Sequence, residues 1–185
     1  MASQFAPTEN SSLEHPVRDR LLSRLVEDRA AQYGDRQFLD FKGTESVSYR
    51  ELNERTNRFA NGLQALGLAK EKKLAVMLPN CPEYLYLLFG ASRIGAVTVP
   101  INTAYKGALL AHIINNSDAE VLVIDEQHIE TINEIADTLS GLKTLLIYSD
   151  QDGNKGEREV PLLHWPALHL SVLYEAPSEK RGCRA

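Results

Sequence analysis

Apolar residues along this chain switch between a helical and an extended rhythm, and the switches locate the elements. Leu21, Leu22, Leu25 and Val26 share one face of a helix predicted over Val17 to Tyr33, which Gly34 closes as a C-cap glycine does. Two short extended runs follow, Gln37 to Phe41 and Ser46 to Tyr49, around Lys42-Gly43-Thr44. Glycine supplies the positive φ that a tight turn needs, so the two runs predict a β-hairpin. Ser48-Tyr49-Arg50-Glu51 has the spacing of a capping box, in which hydroxyl and carboxylate each satisfy an orphan backbone donor. Leu52, Thr56, Phe59, Leu63 and Leu66 then recur at intervals of 4, 3, 4 and 3, a helical stripe that Gly67 ends.

From residue 73 the chain alternates. Strands are predicted at Lys73 to Leu78, Ala96 to Ile101, Val121 to Ile124 and Lys143 to Tyr148. Between them lie helices at Pro82 to Ile94, with proline in the first turn, and at Gly107 to Asn116, with Leu109, Leu110, Ile113 and Ile114. A third is expected after Asp125 as its cap, carrying Ile129, Ile132, Ile135 and Leu139. Each strand is a continuous apolar run, as when helices cover both faces of a parallel sheet. The pattern therefore predicts a doubly wound, mostly parallel α/β sheet. Three regions result: a polar tail over 1–16, the α/β subdomain over 17–148, and a loop with an irregular tail over 149–185. Within the last, Ser149 to Glu159 is polar, while Val160 to Tyr174 has scattered apolar residues and the one tryptophan, Trp165.

The mostly apolar run from Tyr84 to Ile101 is 18 residues long, enough to raise the question of a membrane span. Arg93 sits inside it, at a cost of about 2.5 to 3.5 kcal/mol for a centred charge. Gly95 and Pro100 divide it further, so a buried helix followed by a buried strand is the better reading.

Composition narrows the function classes. The 185 residues are 43% hydrophobic and 24% charged, with a formal charge of −5. That composition is neither disordered nor collagen-like, and the acidic balance offers no field for nucleic acid or anionic lipid. Cys81 and Cys183 stand far apart without a CxxC or a His-Cys cluster, so neither a disulfide framework nor a zinc site follows. Met1 to Pro16 has no apolar secretory core, the two Asn-x-Ser matches at Asn10 and Asn115 count as chance, and a reducing cytoplasm is expected.

In an open α/β sheet the ligand crevice lies beyond the carboxyl ends of the strands. Those ends are Pro79-Asn80-Cys81, Asn102-Thr103-Ala104-Tyr105, Asp125-Glu126-Gln127-His128 and Ser149-Asp150, polar as in any α/β domain of this kind. No GxGxxG, GxxxxGK[ST] or GxSxG occurs, which removes the dinucleotide, Walker and hydrolase-elbow readings. Cys81 at a helix start has the position of an activated thiol, but no histidine lies nearby in sequence and a packed cysteine is preferred. His112 and His128 read as structural or solvated rather than catalytic. Asp125 has the place of a ribose ligand, yet capping already accounts for it. No residue is thereby assigned a catalytic, cofactor-binding or metal-binding role.

Several segments in order resemble the N-terminal part of the AMP-forming, adenylate-forming ligases, which include acyl-CoA synthetases, luciferases and peptide-synthetase adenylation domains. They are Val47-Ser48-Tyr49-Arg50-Glu51-Leu52-Asn53, the helix through Ala60, Leu63 and Gly67-Leu68, and Val76-Met77-Leu78-Pro79-Asn80-Cys81-Pro82-Glu83. The best match is Gly90-Ala91-Ser92-Arg93-Ile94-Gly95-Ala96-Val97-Thr98-Val99-Pro100-Ile101-Asn102-Thr103. Asn116-Ser117-Asp118-Ala119-Glu120 and Val121-Leu122-Val123-Ile124-Asp125 complete the series, so the resemblance covers 18–148. Pro-Asn in place of Pro-Ile-Asp leans toward acyl-CoA synthetases, whose N-terminal subdomain is the fold then expected.

The resemblance implies acyl-CoA chemistry of the fatty-acid-metabolism type. A carboxylate attacks the α-phosphate of ATP with Mg²⁺ present, and the acyl adenylate passes its acyl group to coenzyme A. It also implies a Ser/Thr/Gly-rich phosphate loop ending in Pro-Lys, after a strand that Val172-Leu173-Tyr174 would begin. Glu175-Ala176-Pro177-Ser178-Glu179-Lys180-Arg181-Gly182-Cys183 follows instead, and the adenine and ribose motifs and the catalytic lysine domain do not appear. No family catalytic residue can be placed on this chain. The expectation is a truncated or frameshifted acyl-CoA synthetase product, inactive alone, with apolar surface left exposed. Alternatives are a non-catalytic module that associates with an intact homologue, or an unrelated small flavodoxin-like or receiver-like domain. Leu74 to Leu78 runs into Pro79-Asn80 rather than an acidic cluster, which disfavours a receiver.

Overall fold

The computed structural model describes residues 21–41, 45–149 and 165–179. The expected tail over 1–16, the start of the first helix, the hairpin turn at 42–44 and nearly all of the loop after Ser149 lie outside the described residues. Helix α1 (Leu22–Tyr33) precedes an antiparallel pair, β1 (Gln37–Phe41) and β2 (Glu45–Ser48), in which Leu39 faces Val47. Then come α2 (Tyr49–Ala65), β3 (Lys73–Met77), α3 (Pro82–Arg93), β4 (Val97–Pro100), α4 (Gly107–Asn116), β5 (Val121–Asp125), α5 (Ile129–Asn133), β6 (Thr144–Tyr148) and β7 (Ala167–His169). The main sheet has five parallel strands in the order β4-β3-β5-β6-β7.

Alternation along each strand sends neighbouring side chains to opposite faces, and here both faces are covered. Leu74, Val76, Val121, Val123, Leu146 and Tyr148 pack with Leu52, Phe59 and Leu63 of α2 and Tyr86, Leu87 and Ala91 of α3. Ala75, Met77, Leu122, Ile124, Leu145 and Ile147 pack with Leu110 and Ile114 of α4 and with Ile132 and Ile135. The expected doubly wound sheet is thus present, with two cores back to back.

The capping box forms as the sequence predicts. Glu51 N–H donates to Ser48 Oγ at 3.2 Å, and Ser48 N–H donates to Glu51 Oε2 at 2.8 Å. The backbone and hydroxyl donors of Ser48 hold the Glu51 carboxyl below the usual glutamate range. The folded state therefore takes up that proton less readily than the unfolded one. Its contribution is present above the ordinary glutamate range and is lost as pH falls through the lower folded value. Ser48→Ala should cost about 1 kcal/mol at pH 7 and flatten the acid limb of the stability profile in part, because the Ser48 backbone donor to Glu51 remains. Urea unfolding between pH 7 and pH 3 checks this, and an unchanged acid limb in the variant would rule it out.

Helices α2 and α3 meet with almost no gap. A Cβ on Gly90 would lie 3.0 Å from the Ala60 backbone nitrogen and 3.1 Å from Phe59 Cβ. Glycine is what that approach requires. Arg93, which split the apolar run, is 8% exposed and ties three helices together. It donates to Asn57 Oδ1, to Asn53 Oδ1 at 3.1 Å and to the Ser23 carbonyl at 3.3 Å, with Glu27 at 3.7 Å. The Tyr84–Ile101 run is α3 followed by β4, but the strand is not buried as expected: it forms the edge of the sheet, with Val97 exposed. No helix among the described residues is long and apolar enough to cross a membrane.

Four other expectations need correction. The helix after Asp125 breaks into a 3₁₀ turn at Glu126–His128, the short α5, and a second 3₁₀ turn at Ala136–Thr138. Ile129, Thr131, Ile132 and Ile135 are β-branched and favour helix weakly. Asn115 also competes for the backbone, donating to the Thr138 carbonyl and accepting from Ser140 N–H. The stripe over Leu21, Leu22, Leu25 and Val26 buries only Val26, while the three leucines are exposed. Tyr49 opens α2 instead of closing β2, because Ser48 is the helix cap. Finally, the sheet runs past residue 148. β7 pairs with β6, and Val172-Leu173-Tyr174 begins no strand: Leu170–Leu173 is a 3₁₀ turn, capped by His169 Nδ1 accepting from Ser171 N–H. Among the described residues the exposed large apolar side chains are Leu21, Leu22, Leu25, Phe38, Val97 and Leu109.

Candidate functional site

The strand-end residues singled out in the sequence are held by structural duties. Cys81 is the N-cap residue of α3 and is 7% exposed in the core. Burial pushes its thiol up to about 12, so it stays protonated and unreactive at neutral pH. Asp125 is buried and accepts from Gln127 N–H at 3.0 Å, as a cap should. His112 is exposed on α4, and His128 is half-buried beside the start of α5. The structure brings none of these four together, and among the described residues no group of three or more His, Cys, Asp or Glu side chains could hold a metal ion.

What it does assemble is a cleft that the sequence did not announce. The cleft, about 470 Å³, is lined by Glu45, Glu51, Glu54, Arg55, Arg58 and Tyr174. Its residues lie 129 positions apart in the chain, and only the return of the chain from β7 to α2 joins them. The helical spacing of Glu51, Glu54, Arg55 and Arg58 marks one polar face of α2, and that pattern was the only signal available beforehand.

The walls are chemically tied. Arg55 pairs with Glu45 and donates to Tyr86 Oη at 2.7 Å, with its guanidinium 5.3 Å from the Tyr86 ring centre. Burial works against the Arg55 charge, but the Glu45 and Tyr86 oxygens more than offset it and raise its pKa. Tyr174 donates to Glu83 Oε1 at 2.8 Å in the first turn of α3. Its hydroxyl is pushed upward by burial and by the Glu83 charge, and that of Tyr86 is pushed upward chiefly by burial. Phe59, Tyr86 and Tyr174 pack edge to face, with centroids 5.0 to 6.5 Å apart.

These residues do not fit a nucleoside triphosphate. Three carboxylates face two guanidinium groups, and both arginines already bond within the protein. A polyphosphate needs converging cations or backbone donors, whereas here the carboxylates would repel it. The arrangement suits holding secondary structure together better than acid–base chemistry.

Comparison with known proteins supplies what the cleft does not. The family model for AMP-binding enzymes matches residues 26–175, more than half of the chain. Crotonobetaine/carnitine–CoA ligases of Salmonella paratyphi B and Salmonella typhimurium are 39% identical over 118 residues, 62% of this chain and 23% of those proteins. The fold is similar to that of an anthranilate CoA ligase in complex with anthranoyl-AMP, with TM-score 0.75 and 18% identity over 89% of this chain and 30% of that one. A long-chain-fatty-acid-CoA ligase from Archaeoglobus fulgidus superposes with TM-score 0.70 and 22% identity, over 89% of this chain and 32% of that one. The chain thus spans about a quarter of the length of the curated relatives it matches.

Proposed function

The chain belongs to the AMP-binding enzyme family, and from that premise we propose that it is the N-terminal α/β portion of an ATP-dependent acyl-CoA ligase. The reaction of such a ligase joins a carboxylate to coenzyme A through an acyl adenylate, releasing AMP and pyrophosphate. The observation that carries the reading is the family match over residues 26–175, together with 39% identity to CoA ligases. The unit is proposed to span the described sheet from α1 to β7, in a cytoplasmic setting, with carboxylate, ATP, Mg²⁺ and coenzyme A as the ligands of the whole enzyme.

On its own, this chain is proposed to be catalytically silent. Charge developing on a phosphate in the transition state calls for preorganised donors and cations. The cations of the cleft are engaged elsewhere, Arg55 by Glu45 and Tyr86 and Arg58 by backbone carbonyls. The Cys81 thiol is buried, and the Asp125 carboxylate would repel a phosphate. ATP–pyrophosphate exchange with crotonobetaine, carnitine, a long-chain fatty acid and anthranilate tests the reading. Exchange indistinguishable from the protein-free blank is expected for every acid. Carboxylate-dependent exchange by the purified chain would overturn it.

A further inference from the structure

Helix α2 holds the segment after β7 largely through the segment's backbone carbonyls. Arg58 Nη1 donates to the carbonyl of Tyr174 at 3.0 Å and to that of Ala176 at 3.4 Å. One turn further along α2, Asn61 Nδ2 donates to the carbonyl of Pro177 at 2.5 Å and to that of Glu179 at 2.8 Å. An amide NH₂ has two hydrogens, and both are used. Asn61 is 5% exposed, so losing either acceptor would leave a buried donor unmet. Gly62 completes the track: a Cβ there would lie 2.6 Å from Leu173 Cδ2 and 3.2 Å from Leu173 Cα. Side chains hold it too: Leu170 and Leu173 are buried in the core, and Tyr174 is set among Phe59, Tyr86 and Glu83.

We propose that residues 174–179 form a strap latched onto α2, with Tyr174 as the anchor and Arg58 and Asn61 as the clamps that set its path. Two side chains at i and i+3 address four carbonyls, and carbonyls are the same whatever residue carries them. The strap site therefore tolerates almost any side chain at 175, 176 and 178, provided the backbone keeps its course. It does not tolerate loss of a clamp. The latch fixes the path of residues 174–179 along α2, with the Tyr174 ring packed on Phe59 and Tyr86. This inference stands on the contacts themselves and holds whether or not the chain is silent in catalysis.

Digestion of the full chain with a glutamate-specific protease reads the latch directly, because Glu175 and Glu179 lie within the strap. Cleavage at those two sites, followed by mass spectrometry, should rise about tenfold or more in Tyr174→Ala and in Asn61→Asp. Asn61→Asp is nearly isosteric but turns an acceptor toward two carbonyls, so it opposes the strap without emptying the core. Ala176→Ser with Ser178→Ala should leave both rates unchanged. Circular dichroism and the thermal midpoint confirm that each variant is folded. Should Tyr174→Ala lose its fold, Asn61→Asp decides the matter alone. Unchanged cleavage in folded Asn61→Asp overturns the proposal, and so does faster cleavage in the double strap variant.

Discussion

Replacing Arg93 by Met should cost about 3 to 5 kcal/mol, the range for removing one partner from a buried polar network. Arg93 reaches three helices at once: the Ser23 carbonyl and Glu27 on α1, and Asn53 and Asn57 on α2, all from its place near the end of α3. Methionine fills much of the stem volume, so packing alone would change little. The cost comes from what is left behind. Asn57 is 9% exposed and would lose its charged donor without gaining water, and the Ser23 carbonyl would lose a partner at the junction with α1. Arg93→Lys should recover only part of this, because an ammonium cannot spread parallel donors across two asparagines and a carbonyl as a planar guanidinium does. Urea unfolding at pH 7 checks both variants. A loss below about 1 kcal/mol for Arg93→Met would mean the network carries no net stabilisation.

That network also shows which parts of the architecture were legible in advance. Periodicity found α2, α3, α4 and four of the five parallel strands because each has an apolar stripe or run. The capping box was readable because it is local, with both partners three residues apart. Local rules fail where a distant partner decides the conformation. Ala167–His169 is too short to declare itself, and it becomes a strand only because β6 offers a free edge. Leu170–Leu173 turns rather than extends because the chain must cross from that edge to α2, where Gly62 leaves room for Leu173. After Asp125, apolar spacing of helical period meets β-branched residues and a side chain from α4, and the helix fragments.

The cleft was hidden for the same reason. Glu51, Glu54, Arg55 and Arg58 read as an ordinary solvated helix face, and nothing local to them points to Tyr174. Arg93 within an apolar run was visible as an exception, and its meaning followed once Asn53 and Asn57 were seen four residues apart on α2. Family resemblance rested on the same buried segments, which is why it identifies the fold more strongly than any site. Gly90 illustrates the link. Its neighbours are backbone and Cβ atoms of α2, so the residue type is dictated by helix approach.

Phe59→Ala should be the most damaging truncation in the α2–α3 core, at about 3 to 5 kcal/mol. The ring is fully buried and stands at the meeting point of α2, α3 and the 170–174 turn. It presents an edge or face to Tyr86 at 5.5 Å and to Tyr174 at 5.0 Å, with interplanar angles of 70° and 88°. Two effects add. A cavity opens beneath helices whose close contact at Gly90 limits any collapse, and two ring pairs, each worth about 0.5 to 1.5 kcal/mol, are lost. Phe59→Leu separates them, since leucine restores most of the volume but neither ring contact, and should cost less than half as much. A double-mutant cycle with Tyr174→Leu should return a coupling of about 0.5 to 1.5 kcal/mol for the Phe59–Tyr174 pair. Coupling near zero would show that Tyr174 is held by Glu83 and the clamps without help from the ring. Equal losses for Phe59→Leu and Phe59→Ala would instead assign the whole effect to ring geometry and none to the cavity.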